Sequence, residues 1–331
     1  MKKNKRLTNK QFQKFLKEFK NLMTDYGALS TKSATNWKIY EKEYAERIRY
    51  VARELNNLTK RAIDDITIKS SNFGRPKKLS LQQKVVALLL KSIFSENNRP
   101  MAGLLSLFGA FCNIDISYKT IERLYSDELV QMVLYNMFIF TIKQKCAKKV
   151  HTTGDATGYT LTVTKHYRTQ VDKEGYRKFV YSFNLMDIET KLYVCYGSNI
   201  RSEKEAFENA MKIIKNIQKT AGITIDSTRL DRYYSYQSTL KYFDDETIFY
   251  IIPKSNTTIN GPSNWRNIFK RIMNNPILYL KEYYKRENSE SGFSTDKRMV
   301  GWKIWQKRDE RIDTAISCIA LLHNLFRMSY G

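Results

Sequence analysis

Across residues 8–68, apolar side chains recur every three or four positions, as in Phe12, Phe15, Leu16 and Phe19 and again in Ile48, Val51, Leu55 and Leu58. That period predicts amphipathic helices whose outer faces carry Lys, Arg and Glu. Gly27, with Ser30 and Ser33 close behind, marks a break between two of them. The period is lost in SSNFGRPKKLS, residues 70–80, which reads as a linker. Residues 80–95, 100–112 and 117–125 then give three helical patterns separated by short polar breaks, the outline of a helix-turn-helix or of an ordinary three-helix bundle. Ser117 is the expected cap of the third. Residues 129–142 are almost wholly apolar but too few to span a membrane, and they include Gln131 and Asn136, which suits a buried helix.

Beyond residue 149 the pattern changes. Residues 151–155, 159–164, 178–186 and 191–196 alternate or run apolar with β-branched and aromatic side chains and are expected as strands. An amphipathic helix over 202–219, led by Ser202, Glu203 and Glu205, precedes a strand at 223–230, a helix at 235–242, a strand at 247–252 and further helices. Antiparallel strands followed by alternating helices and strands predict an α/β sheet with helices packed on it. The chain divides accordingly into a basic helical region over 1–69, the linker 70–80, a helix-turn-helix-like DNA-binding region over 81–149 and a sheet domain over 150–331.

Charge adds a partner to this outline. With 57 Lys and Arg against 33 Asp and Glu, the chain carries a formal +24, and twenty basic against eight acidic side chains fall in residues 1–80. Such a field favours nucleic acid, because neutralising phosphates releases counterions. Lys119, between Tyr118 and Thr120 at the start of the third helix, is a candidate contact to phosphates or base edges. Gly74-Arg75-Pro76 resembles the core of a minor-groove AT-hook, which makes Arg75 a candidate DNA contact; a plain linker is the alternative. Cys112, Cys146, Cys195 and Cys318 lack CxxC spacing and have apolar neighbours, and His151, His166 and His323 form no ligand pattern, so no zinc site is expected and the thiols read as reduced. MKKNKRLTNK is followed by a polar stretch instead of an apolar one, so a cytoplasmic, nucleoid-associated protein without a membrane partner is expected.

The chemistry concentrates in YYKRENSESGFSTDKR, residues 283–298. Arg286, Glu290 and Lys297 follow Tyr283 at offsets of three, seven and fourteen, which at roughly 100° per residue place all four within roughly 60° on one helix face. Gly292 is a candidate interruption. A charged helix whose Glu and Arg are solvated or paired is the plain alternative. The spacing resembles the Y-x2-R-x3-E-x6-K signature of DDE insertion-sequence transposases, and all four positions match. The likeness covers roughly residues 150–331, including the tail QKRDERIDTAISCIALLHNLFR, similar to the family's closing helix.

The resemblance implies an RNase H-like mixed sheet, βββαβαβα, with three carboxylates holding two Mg²⁺ ions, Mn²⁺ being able to substitute. In-line displacement at a phosphodiester puts negative charge on the attacking and leaving oxygens, and hard cations on oxygen ligands meet that need. Asp155 in VHTTGDATG matches the first acid, although Asp beside Gly is also common turn chemistry. Gly154, Ala156 and Gly158 are expected to leave room for metal and phosphate. For the second acid, Asp231 in ITIDSTRLDRYYS is preferred, because Asp-Arg-Tyr-Tyr-Ser looks like the family's pattern; Asp226, which ends an apolar triplet, is the alternative. Glu290 is the third. Tyr283, Arg286 and Lys297 are implied to grip the terminal phosphates.

The implied activity is binding of terminal inverted repeats, cleavage of the ends and joining of 3′-hydroxyls to target DNA, with a homodimer handling two ends together. A non-enzymatic DNA-binding regulator and an RNase H-like nuclease without strand transfer are the alternatives. The stretch from Asp231 to Glu290 leaves no room for the large β-rich insertion of some relatives. Trp302 and Trp305, three apart, fit core packing better than stacking on an exposed base.

Overall fold

In a computed structural model, which describes residues 8–28, 36–67, 78–107, 116–161 and 179–329, one long strand organises the sheet. This is β1 (Lys149–Leu161). Two shorter strands, over 151–155 and 159–164, were expected; the backbone instead runs straight through from 149 to 161, with Asp155 in the middle. β2 (Phe179–Asp187) and β3 (Tyr193–Asn199) follow antiparallel, with Asp155 opposite Asn184. Their turn is held by Asp187, whose Oδ2 accepts from the Thr190 N–H and hydroxyl at 2.9 and 2.7 Å.

α7 (Glu203–Ala221) carries the chain from β3, at one edge, across β2 and β1 to β4 (Thr224–Leu230), which pairs parallel with β1 and so needs a crossover connection. Ser202 caps its start by accepting from the Glu205 N–H, and Gly222, at φ 73°, ends it in the left-handed conformation. β4 and β5 (Ile248–Tyr250) run parallel to β1, giving the order β3-β2-β1-β4-β5. A two-residue strand, β6 (Lys303–Ile304), pairs with β1 at Thr160 and Leu161, while β4 stops at Gly154. Among the described residues, β1 from Asp155 to Tyr159 therefore has no strand beside it on that flank. The gap opens where the candidate acids lie.

Helices cover both faces. α7 lies so close to β3 that a Cβ on Gly197 would sit 2.3 Å from the Ala210 nitrogen and 2.6 Å from the Ala206 oxygen. On the opposite face α12 (Asp309–Arg327) meets β3 through Tyr196–Ser317 and Ser198–Asp313 hydrogen bonds at 2.7 and 2.6 Å. The expected closing helix is thus built into the core along most of its length, with Ile312, Ile316, Leu321, Leu322 and Leu325 buried.

The helical half comprises α1 (Asn9–Ala28), α2 (Trp37–Asp64), α3 (Leu81–Phe94), α4 (Asn98–Leu107), α5 (Tyr118–Leu124) and α6 (Glu128–Lys145). Ser80 closes a capping box with Gln83, and Ser117 accepts from the Thr120 N–H as its position before an apolar run predicts. α6 is the buried helix expected from its composition, with Val130, Val133, Leu134, Met137 and Phe138 inside, and it packs on α2 and α12. Among the described residues no helix is long and apolar enough to cross a membrane.

α1 packs away from the other N-terminal helices. Phe12 rests 4.5 Å from Phe269 of α9 (Ser263–Asn274), the Gln13 amide donates to the Thr257 carbonyl at 2.7 Å, and Tyr26 stacks on Tyr284 at 5.3 Å. A single apolar core runs from α1 through the sheet to α12. Between β4 and the last helices the chain forms α8 (Gln237–Leu240), β5, α9 and α10 (Pro276–Tyr283), which occupy the segment in which no large insertion was expected.

Candidate active site

Parallel pairing brings two acids together. Gly154 lies beside Leu230, so the next residue on each strand, Asp155 and Asp231, stands side by side where the β1–β4 ladder ends. Asp231 turns the chain out of β4 by accepting from the Arg232 N–H at 2.5 Å, capping a short 3₁₀ turn over Arg232–Tyr234. Asp226 sits at the other end of β4, beside the register irregularity between Val150 and His151, and pairs at 3.7 Å with exposed Lys149. The structure therefore brings Asp231, and not Asp226, to Asp155. Gly154 does not serve the carboxylate as expected. It faces α7, where a Cβ would meet Phe183 Cζ at 2.7 Å and Leu185 and Leu230 methyls at 2.9 Å, so its missing side chain is filled by core.

The four residues of the signature do not lie on one continuous α-helix. α10 ends at Tyr283, a 3₁₀ turn covers Tyr284–Arg286, and a new helix, α11 (Glu287–Val300), begins after it. The tighter turn displaces Tyr283 from the register that a continuous helix would give it. Gly292 does not interrupt α11; it is buried, with Tyr193 Oη and His323 too near for a larger residue to enter freely.

Each of the four has its own setting. Tyr283 is buried at 4% exposure, and burial raises its phenol well above the ordinary value. The Arg286 guanidinium lies 3.2 Å from Glu290 and 3.7 Å from Asp155, over the Tyr283 ring. Burial works against its charge, but Tyr283, Asp231, Glu290 and Asp155 together hold it above its usual value. Among the described residues its buried Nε has no hydrogen-bond partner. Glu290 is largely exposed. Lys297 reaches back to β1, its Nζ donating to Thr157 Oγ1 at 2.6 Å, two residues beyond Asp155 on the same sheet face.

This arrangement is braced from below. Arg229 on β4 forms a buried ion pair with Glu282 of α10 and donates from Nε to the Glu282 carbonyl at 3.2 Å. Thr153 and Ser289 join β1 to α11 by a 2.9 Å hydroxyl contact. Further along α11, buried Asp296 accepts from the Tyr193 hydroxyl at 2.6 Å and pairs with His323 Nδ1 at 2.5 Å. The helix that carries Glu290 is thereby tied to both the sheet and α12.

Burial pushes the Asp155 carboxyl up to about 6, with the neighbouring Asp231 and Glu203 charges adding to the rise and the Ala156 N–H and Arg286 opposing it. Glu203 went unnoticed in the sequence, where it read only as a first-turn residue after Ser202. It stands at the start of α7, and its Oε1 accepts from the buried Tyr234 hydroxyl at 2.7 Å. Among the described residues, no three His, Cys, Asp or Glu side chains converge closely enough to hold a metal ion as they stand. The chemistry of the donors nonetheless fits a hard cation: Asp155, Asp231 and Glu290 are all oxygen donors, and the Arg286 guanidinium lies between Asp155 and Glu290, within 4 Å of each.

Because Asp155 prefers its proton in the folded state, its favourable contribution is complete below about pH 4 and is lost as pH rises through about 6. Asp155→Asn is therefore expected to stabilise the metal-free protein above that range, by on the order of 3 kcal/mol, and to give no gain near pH 4. Thermal melts in chelator across this range measure it; equal melting temperatures at about pH 8 would overturn the burial assigned to Asp155.

Of the remaining candidates, Lys119 is exposed at the start of α5, and Arg75 lies outside the described residues. Cys195 and Cys318 are buried and Cys146 half-buried, all free thiols, while Cys112 and His166 also lie outside the described residues. No known family model matches the chain. A probable transposase for an insertion sequence element of Archaeoglobus fulgidus is 41% identical to it over 292 residues, 88% of this chain and 87% of that protein.

Proposed function

Since the chain belongs to the insertion-sequence transposases, we propose that it cuts the ends of its own element and joins the freed 3′-hydroxyls to target DNA, using the acids at the end of the β1–β4 ladder. The observation that carries this reading is the adjacency of Asp155 and Asp231, with Arg286 reaching both Asp155 and Glu290 from the neighbouring helical segment. Sheet order β3-β2-β1-β4-β5, with β2 alone reversed among its central strands, supports an RNase H-like core of the DDE type.

Asp155, Asp231 and Glu290 would hold two Mg²⁺ ions, for which Mn²⁺ substitutes. Bound there, they supply charge stabilisation to the attacking and leaving oxygens of an in-line displacement. The chain's own groups do the rest. Arg286 exchanges its carboxylate partners for a phosphate of the terminal nucleotide, a group that suits its forked donors. Tyr283, being buried, backs the guanidinium and leaves the DNA contact to it. Lys297 lies along β1, ready for the next phosphate. Lys119 on α5, Arg75 and the basic first quarter hold the terminal repeat and bring the protein to the nucleoid, α3–α5 acting as a helix-turn-helix. Two copies act together, one for each end.

The test is a duplex carrying the inverted repeat that flanks the gene, incubated with a second, target duplex. Mg²⁺-dependent nicking at the end of the repeat and covalent joints to the target are expected. Chelator should abolish both products, and Mn²⁺ should restore them. Binding without metal-dependent cutting would favour the regulator, and cutting without joints would favour a simple nuclease.

A further inference from the structure

The two tryptophans that looked alike in the sequence have different fates. Trp305 is anchored, its indole N–H donating to the Ser95 carbonyl at 2.9 Å. Trp302 is 63% exposed, the most exposed large hydrophobic residue among those described. Its exposure is not the looseness of a free loop. The Trp302 carbonyl accepts from the Thr160 N–H at 3.0 Å, and the next two residues form β6 on the edge of β1. Gly301 before it takes φ 82° and packs against Ser95, where a Cβ would lie 2.2 Å from Oγ. The indole is thus presented from a backbone fixed on both sides.

Its position matters more than its exposure. Trp302 closes the far end of the gap along β1, and Asp155 and Asp231 close the near end. Thr160 lies five residue steps beyond Asp155 along the strand, about 16 Å at the usual rise, a span of a few nucleotides. Lys297 stands between them, its Nζ 4.7 Å from the Trp302 ring centroid and bonded to Thr157. A rigid aromatic surface beside a cation, on a chain of net charge +24, offers stacking to a base and an ion pair to the phosphate attached to it.

We propose that Trp302 is a stacking platform for an unpaired nucleobase of the DNA strand that lies along β1, with Lys297 taking that nucleotide's phosphate. This rests on the reading of Asp155, Asp231 and Glu290 as the cutting site. A duplex keeps its bases stacked on each other, so the platform acts on the frayed or single-stranded part next to the cleaved bond. The substrate of this site is accordingly a duplex end with an unpaired flank, in preference to a blunt one.

The test compares wild-type protein with Trp302→Ala and Trp302→Phe in chelator, where no strand is cut. The probes are the flanking-repeat duplex, blunt or with a short single-stranded extension, the extension carrying 2-aminopurine at successive positions. Trp302→Ala should bind the extended duplex about tenfold more weakly, within the range of one base–aromatic stack, and bind the blunt duplex within about twofold of wild type. Quenching of 2-aminopurine at one position should vanish in Trp302→Ala and persist in Trp302→Phe. Equal weakening on both duplexes would mark a general contact or lost folding and overturn the platform, as would unchanged binding of the extended one. If the wild-type protein cuts the end and Trp302→Ala binds like wild type, stacking alone fails; if the wild type binds neither duplex, the cutting-site reading fails with it.

Discussion

Replacing Asp155 with Asn, or Glu290 with Gln, is expected to lower strand cleavage by about a thousandfold or more, equivalent to about 4 kcal/mol of lost transition-state stabilisation. Binding of the terminal repeat should stay the same or tighten, since an amide no longer repels phosphate. The two substitutions act at different points. Asn at 155 keeps an oxygen for the Ala156 N–H but removes the charge next to Asp231. Gln at 290 releases Arg286 from its 3.2 Å partner and leaves the sheet untouched. Asp226→Asn, at the far end of β4 on an exposed pair with Lys149, serves as the control and should cut at the wild-type rate. Gel assays of nicking with each variant settle the matter: wild-type cutting by Asp155→Asn or Glu290→Gln sinks the proposed site, and loss of cutting in Asp226→Asn would exchange the second acid.

Gly197→Ala should unfold the protein more readily than any other single methyl addition described here. The new Cβ would lie 2.3 Å from one backbone atom of α7 and 2.6 Å from another. Backbone cannot rotate away as a side-chain tip can, so the helix has to lift from β3, at a cost of about 3 kcal/mol or more. That is a large share of the stability of an ordinary domain. Gly103→Ala on α4 makes a matched comparison: outside its own helical turn, no heavy atom of the described residues lies within 4 Å of the added Cβ, and the exchange should be neutral or slightly stabilising. Urea midpoints for the two variants measure the difference. A Gly197→Ala midpoint equal to wild type would mean that α7 does not approach β3 as closely as described. Because α7 also carries Glu203, cleavage should fall before the fold itself is lost.

What could be read in advance followed local rules. The helix cap at Ser117, the buried character of α6 and the switch from a period near four to a period of two all depend on neighbours in sequence, and each appears in the structure. The glycines around Asp155 misled for the same reason. In isolation they suggest a turn, but Gly154 is demanded by Phe183, Leu185 and Leu230, which arrive from β2 and β4. Helical spacing at Tyr283, Arg286 and Glu290 likewise assumed one continuous helix, and the 3₁₀ turn at Tyr284–Arg286 is set by contacts with α1, β1 and β4 that no local pattern contains. Glu203 lay beyond reach because its relation to Asp155 exists only across the sheet. Trp302 and Trp305 show the limit plainly: equal in type and three apart, they part company through one hydrogen bond to Ser95.

Tyr26 of α1 stacks on Tyr284, within the turn that ends at Arg286, while Phe12 and Gln13 hold the same helix to residues 257 and 269. The first helix is therefore no detachable handle. A hybrid that joins the opening residues of one element's protein to the remainder of another's must match these contacts or misplace Arg286. Substitutions at Phe12 or Tyr26 should accordingly call for matching changes at Phe269 or Tyr284, and exchange of the whole opening segment should disturb the turn that carries Arg286.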